Sequence, residues 1–534
     1  MSNEMPMKKQ SFLGGAAVLA LATAVVKLIG MFFKIPLQMV IHEAGYGYFT
    51  TAYDIYSVLL MISTTGLPVA MSRMISEAQA LGEYAQIKRI YKVSFSVFLV
   101  LGLVGFAGMA IFCKQLASLL GQRDAWYAVL ALSPAVLFIG MISSYRGFFQ
   151  GQSNMLPTSI SQIMEALCKL FIGLTAAWII MKKWNNVPLA AGGAILGVTV
   201  GTVIATLYLS RKHRQAERQL AAAGGHCKSK KATLRQLLYI AIPITIGSAG
   251  LQLINLLDAI IYMYRLKGAA GFTQAEADVL KGIYNYCQTI FNLPCAFITS
   301  ITISVIPAVT SHLAMKNNRG VRMVEDSAIR VMALIALPCA MGLACLSGPV
   351  YQLLSSYTAT SLLTARPVLA ILGVAVIFNS LVLVTNAIMQ AHGDVMTPVI
   401  NMLLGGVVKI IVNFILVGNP AINIVGAAIG TLCCYIAITL LNLIALRRKL
   451  HSKLSVPRLL AKPLLASLIM GAVAILAYKL VSAVIPSQRI DCLLAIAVAG
   501  VVYLVLVVVL KIITADDCAL LPKGEKIARI LRIR

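Results

Sequence analysis

The chain has 534 residues, 59% hydrophobic and only 12% charged, with a net charge of +27 and a mean hydropathy of +0.87. A soluble globular chain carries about 25% charged residues, so a soluble enzyme is excluded and a polytopic membrane protein is predicted. Fourteen spans of about 20 residues would use about 280 residues, which leaves short connections and no room for a large soluble catalytic domain.

In chain order, apolar windows predict spans near 11–33, 49–70, 90–112, 125–149, 157–181, 190–210, 236–264 and 282–311, then 328–348, 361–390, 396–418, 423–446, 463–484 and 490–513. Lys8 and Lys9 precede the first window, which contains Lys27 and lacks a small-residue cleavage site, so it reads as a retained span and not a signal peptide. Of the 45 Lys and Arg, 31 fall on the side that holds the N-terminus and the even-numbered connections, 11 on the other side and 3 within spans. Positive-inside placement then puts both termini in the cytoplasm, and it accounts for the net charge without nucleic acid as a partner. The longest connection, about 211–235, is basic, contains Gly224 and Gly225 and reads as a linker between halves. Eleven scattered cysteines without a C-x-x-C and six dispersed histidines predict no metal site, and no cofactor is implied.

Pro68-Val-Ala-Met-Ser-Arg73 closes span two and Pro307-Ala-Val-Thr-Ser-His312 closes span eight, at an offset of 239. Gln150, Pro157 and Lys169 are echoed by Gln390, Pro398 and Lys409 at offsets of 240 or 241, which argues for duplication. The predicted fold is therefore an all-α polytopic membrane protein of about 14 transmembrane helices, arranged as two six-helix lobes plus two extra C-terminal helices. Expected boundaries are 1–225 for the N-terminal lobe with its cytoplasmic linker, 226–450 for the C-terminal lobe, and 451–534 for two further helices and a basic cytoplasmic tail. Such paired lobes commonly rock about a central site in alternating-access transporters.

A Lys or Asp at mid-span costs about 2.5–3.5 kcal/mol on insertion scales, so each calls for a partner or an aqueous cavity. Lys27, Gly30 and Lys34 share one stripe of helix one, with the lysines about 10 Å apart along the axis; the stripe suits an extended polyanion, or Lys34 near Pro36 snorkels to the interface. Glu165 and Lys169 stand at i, i+4 in the favourable order, and either neutralise each other or take part in binding. Asp258 in span seven and Lys409, with Asn413, in span eleven invite a salt bridge. Arg73 and Arg146 end spans on the cytoplasmic side, as positive-inside placement or as the mouth of an anion path.

At Tyr145-Arg146-Gly147-Phe148-Phe149-Gln150-Gly151, followed by Pro157-Thr158, Ser161-Gln162 and Glu165, the sequence resembles the polysaccharide-biosynthesis branch of the multidrug/oligosaccharidyl-lipid/polysaccharide (MOP) exporter superfamily. Within it the chain is similar to the stage V sporulation protein B type and the MurJ-type lipid II flippases; Gly66-Leu-Pro68 with Ser72-Arg73 and Lys27-Leu-Ile-Gly30 fit the same group. The resemblance implies a transporter, not an enzyme, that moves an undecaprenyl-pyrophosphate-linked saccharide such as lipid II to the outer leaflet, with cell-wall synthesis machinery as a further partner. It implies a cationic cavity for the pyrophosphate and a groove by the last two helices for the lipid tail. The family's helix-one arginines match Lys27 and, one residue out of register, Lys34, while its helix-eight arginine falls near Gln288 or Thr289 here. A family cation site matches Asp258 and lies near Lys409 and Asn413, where the lysine ammonium substitutes for a metal ion. The substrate-binding candidates are Lys27, Lys34, Arg73, Arg146 and Lys169; Asp258, Lys409, Asn413 and Glu165 are candidates for coupling or structural charge pairs. The alternatives are a cation-coupled exporter of the MATE type, disfavoured by positive mid-span charge, a membrane glycosyltransferase or O-antigen ligase, disfavoured by short acid-poor outer connections, and a sporulation or division scaffold.

Overall fold

The computed structural model describes residues 12–219, 228–449, 456–484, 488–510 and 512, and among these there is no strand. Lys8, Lys9, Gly224, Gly225 and the basic C-terminal tail lie outside the described residues. The chain divides into two compact units, Met1–Ile260 and Ile261–Arg534. The division falls later than residue 225 because the segment after the basic connection is one continuous helix whose first part packs on the preceding helices.

The first unit holds α1 (Phe12–Met61), a π-helical turn at Ile62–Gly66, α2 (Leu67–Ala80), α3 (Tyr84–Ile111), the short α4 (Cys113–Leu119), α5 (Trp126–Gly151), α6 (Leu156–Cys168), a second π-helical turn at Lys169–Gly173, α7 (Leu174–Trp184), α8 (Val187–Gln219) and most of α9 (Lys230–Gly268). The second holds the end of α9, then α10 (Gln274–Ala314), α11 (Asn318–Cys345), the short α12 (Ser347–Leu354), α13 (Ala359–Ala391), α14 (Met396–Leu416), α15 (Val425–Lys449), α16 (Val456–Val484) and α17 (Gln488–Val509). Eleven helical segments among the described residues are long and apolar enough to cross a membrane. One of them, Leu21–Ala80, covers two of the sequence windows, because α1 breaks at His42 (φ 57, ψ −170). Phe33 and Phe49, 16 residues apart, have ring centroids 5.7 Å from each other, whereas an unbroken helix would separate them by about 24 Å. The chain therefore reverses at His42, and α1 supplies two antiparallel arms.

Two apolar surfaces make the core of the first unit. Leu67, Met71, Met74 and Ile75 of α2 pack with Ile87, Ile90 and Phe98 of α3, Ile139, Ile142, Tyr145 and Phe148 of α5, Leu209 of α8 and Leu237 of α9. On the other side α8 runs against α6 and the turn after it at almost backbone distance: a Cβ on Gly197 would come within 2.5 Å of the Gly173 nitrogen, and one on Gly201 within 3.0 Å of the Glu165 carbonyl oxygen. Small residues at such crossings let helices in a bilayer approach closely. A Gly197→Leu substitution is expected to push the Lys169–Gly173 turn off α8 and to lower the thermal midpoint of the detergent-solubilised chain by several degrees; an unchanged midpoint would mean the crossing tolerates the side chain.

The same local structures recur in the second unit. After α5, Ser153 N donates to Gln150 O and Asn154 N to Phe149 O, each at 3.0 Å; after α13, Gly393 N donates to Gln390 O and Asp394 N to Met389 O, again at 3.0 Å and at an offset of 240. Both are helix ends closed by a left-handed residue, Ser153 at φ 58 and Gly393 at φ 87. The α3–α4 junction (Phe112 N to Gly108 O, Leu116 N to Phe112 O) matches α11–α12 (Leu346 N to Gly342 O, Val350 N to Leu346 O) at an offset of 234. The turns after α2 and α10 (Glu83 N to Ala78 O, Asn317 N to His312 O) keep 234 as well. Pro68 and Pro307, 239 residues apart, stand 15 and 10 residues before these matched turns.

In the second unit, Thr273 caps α10 in a reciprocal box with Glu276, and the Thr273 hydroxyl and backbone N–H hold the Glu276 carboxyl below its ordinary range. The interior of this unit carries an amide network: Asn401 Nδ2 donates to Asn442 Oδ1 at 2.8 Å, and Asn442 Nδ2 donates to Thr385 Oγ1 at 2.9 Å and to Asn386 Oδ1 at 2.8 Å. These bonds join α13, α14 and α15.

Candidate anion site in the first unit

Lys169 opens the π-helical turn, and its Nζ lies over three rings: Tyr53 at 4.6 Å, Phe33 at 4.9 Å and Phe49 at 5.7 Å from the centroids. Phe33 comes from the first arm of α1 and the other two from the second, so the reversal at His42 builds the cage. Ring faces attract a cation through their quadrupole, by about 0.5–2 kcal/mol, but they do not neutralise its charge. Among the described residues no carboxylate pairs with Lys169, and its charged neighbour is Lys34, whose own opposing charge is Asp54.

Glu165 does not neutralise Lys169, although the i, i+4 spacing allowed it. Its Oε1 receives Arg146 Nη2 at 3.0 Å, in a pair whose side chains are 12% and 21% exposed for Arg146 and Glu165. Arg146 also donates to Ser161 Oγ from Nε at 3.1 Å and from Nη2 at 2.9 Å, and Ser161 Oγ donates to Thr158 O at 2.7 Å. The guanidinium is held from α5 against α6 by a carboxylate and a hydroxyl, and Glu165 interacts electrostatically with Tyr53 and Tyr56. Arg146 is therefore half-buried inside the unit and tied to Glu165, not an exposed end-of-span charge.

The structure brings together Lys34, Arg146, Glu165 and Lys169 with Tyr53 and Tyr56. Lys27 is exposed on the first arm of α1, and Arg73 is exposed on α2. Asp258 is 2% exposed on α9 in the first unit, while Lys409, half-buried, and Asn413, fully buried, lie one turn apart on α14 in the second. Lys409 interacts with Tyr435, whose ring stacks on Phe291 at 5.9 Å. Where the family resemblance places a helix-eight arginine, Gln288 Nε2 donates to the Tyr284 hydroxyl at 2.6 Å and Thr289 Oγ1 to Asn285 O at 3.1 Å, so this position is neutral. The caging rings Phe33, Phe49 and Tyr53 are the residues sequence reasoning missed; the aromatic spacing 49, 53, 56 on one helical stripe was a signal for Phe49 and Tyr53, and Phe33 had none.

The family model described as "Polysaccharide biosynthesis protein" matches residues 12–313, and one described as MatE matches residues 282–415. The lipid II flippase MurJ of Bacillus subtilis (strain 168) is 27% identical over 520 residues, which cover 92% of this chain and 94% of that one. Stage V sporulation protein B of the same organism is 25% identical over 520 residues, covering 97% and 98%. A solved structure of a lipid II flippase MurJ in an inward closed conformation superposes with a TM-score of 0.67 at 15% identity, covering 92% of this chain and 98% of that one.

Proposed function

Because the chain belongs to the polysaccharide biosynthesis protein family, within the MOP exporter superfamily, we propose that it flips a prenyl-pyrophosphate-linked saccharide, lipid II or a related cell-wall or polysaccharide precursor, across the bacterial cytoplasmic membrane by alternating access. The observation that carries the reading is the caged Lys169 beside Lys34: two ammonium groups at membrane depth, one of them held by rings in place of a carboxylate. A pyrophosphate brings to Lys169 the negative charge that its ring cage does not supply, and charge-assisted hydrogen bonds to it are worth about 1.5–3 kcal/mol each. An organic cation would meet repulsion there. Lys27, on the same arm of α1, extends the cationic path toward the exposed surface, and Arg73, exposed on α2, lies on the proposed cytoplasmic approach.

The reading includes cytoplasmic termini, paired six-helix halves and no cofactor, with cell-wall synthesis enzymes supplying and consuming the substrate. A second reading, a MATE-type cation exporter, draws on the MatE match over 282–415. Reconstitution separates the two. Proteoliposomes containing the chain should flip an undecaprenyl-pyrophosphate-linked saccharide and leave an organic cation such as ethidium on its own side of the membrane; the reverse outcome would replace this reading with the second. In the same assay Lys27→Ala is expected to lower flipping about tenfold, and Lys27→Arg to retain most of it, since the position requires charge more than shape. A fully active Ala variant would remove Lys27 from the path.

A further inference from the structure

We propose that the ring face of Tyr53 is a saccharide platform, covered by the Lys169 ammonium until a pyrophosphate draws that ammonium away, with Glu165 accepting hydrogen bonds from the sugar. The proposal rests on the lipid-linked substrate argued above and adds the residues that touch its sugar. It starts from an asymmetry in the cage. Phe33 and Phe49 are buried, at 0% and 1% exposed, while Tyr53 is half-buried, so moving the ammonium uncovers one usable ring.

A ring face carries the negative end of the aromatic quadrupole, which attracts an ammonium and equally the weakly positive C–H bonds on one side of a pyranose. The Tyr53 face can take either, not both. A charge-assisted hydrogen bond to a phosphate oxygen neutralises the ammonium, which a ring face does not, so the anion wins and the face opens. A lysine in contact with phosphate oxygen stands about 2.7–2.9 Å from it. With Nζ and the Tyr53 centroid only 4.6 Å apart at the start, a sugar bonded directly to that phosphate arrives beside the uncovered ring.

Glu165 completes the site. The hydrogen bond it accepts from Arg146 runs to Oε1, it interacts electrostatically with both Tyr53 and Tyr56, and its second oxygen is the acceptor for a hydroxyl or acetamido N–H on the sugar. A carboxylate oriented by an arginine next to an aromatic face suits a neutral, hydroxyl-rich ring, and it disfavours a second phosphate in the same place.

The test is binding to the full chain in lipid nanodiscs. The probes are a short-chain prenyl pyrophosphate and the same compound bearing one N-acetylhexosamine. The sugar-bearing probe is expected to bind at least fivefold more tightly to the unmodified chain. Tyr53→Leu should erase that ratio, with an unchanged thermal midpoint reporting an intact fold; Tyr53→Phe, which keeps the face, should preserve the ratio. A Tyr53→Leu variant with the full ratio, or an unmodified chain that binds both probes equally, overturns the platform. If the unmodified chain binds neither probe, the exporter reading itself fails and the platform falls with it.

Discussion

Lys169→Gln is expected to reduce flipping of an undecaprenyl-pyrophosphate saccharide in proteoliposomes by about 30-fold or more, with little change in folding. The charge lost is worth about 1.5–3 kcal/mol toward a phosphate oxygen, and each 1.4 kcal/mol is a factor of ten. The fold loses far less: the ammonium holds three rings that already pack on one another, Phe33 against Phe49 at 5.7 Å and Phe49 against Tyr53 at 4.9 Å. Glutamine fills nearly the same space without desolvating a charge. Lys169→Arg is expected to be intermediate, because a guanidinium stacks on rings more readily and releases them less readily. A Gln variant that flips at the unmodified rate would show that the cage only stabilises α6 against α1.

The second large effect falls on stability. Arg146 and Glu165 are a mostly buried pair with Ser161 as a third member. Removing one partner of such a pair costs about 3–5 kcal/mol, because the other is left uncompensated, whereas removing both is often close to neutral. Arg146→Met and Glu165→Leu should therefore each lower stability in a detergent unfolding titration by about 3 kcal/mol, and the double variant should be more stable than either single one. Strictly additive losses would mean that the two side chains act independently, and would return Arg146 to a cytoplasmic-facing role.

Much of this was readable in the sequence, and the misses have a common physical cause. Apolar windows located the helices because bilayer thickness dictates their length, and Gln150 and Gln390 marked corresponding helix ends because each lies in a turn closed by the same hydrogen bonds. Helical spacing placed Glu165 and Lys169 on one face. It could not decide their partners, since those come from α5 and from two arms of α1 that meet only because the backbone reverses at His42. A left-handed backbone at a histidine inside an apolar stretch leaves no periodic trace. Nor does composition reveal that rings, in place of a carboxylate, receive a lysine.

The order of the partners along the chain bears on biogenesis. Glu165 and Lys169 make the α6 segment a poor candidate for entering a bilayer by itself, since each charge at mid-span costs about 2.5–3.5 kcal/mol. Yet Phe33, Phe49, Tyr53 and Arg146 all precede them. Synthesis proceeds from the N-terminus and earlier parts fold first, so the rings and the guanidinium that receive the two charges of α6 have already been made when the ribosome delivers it.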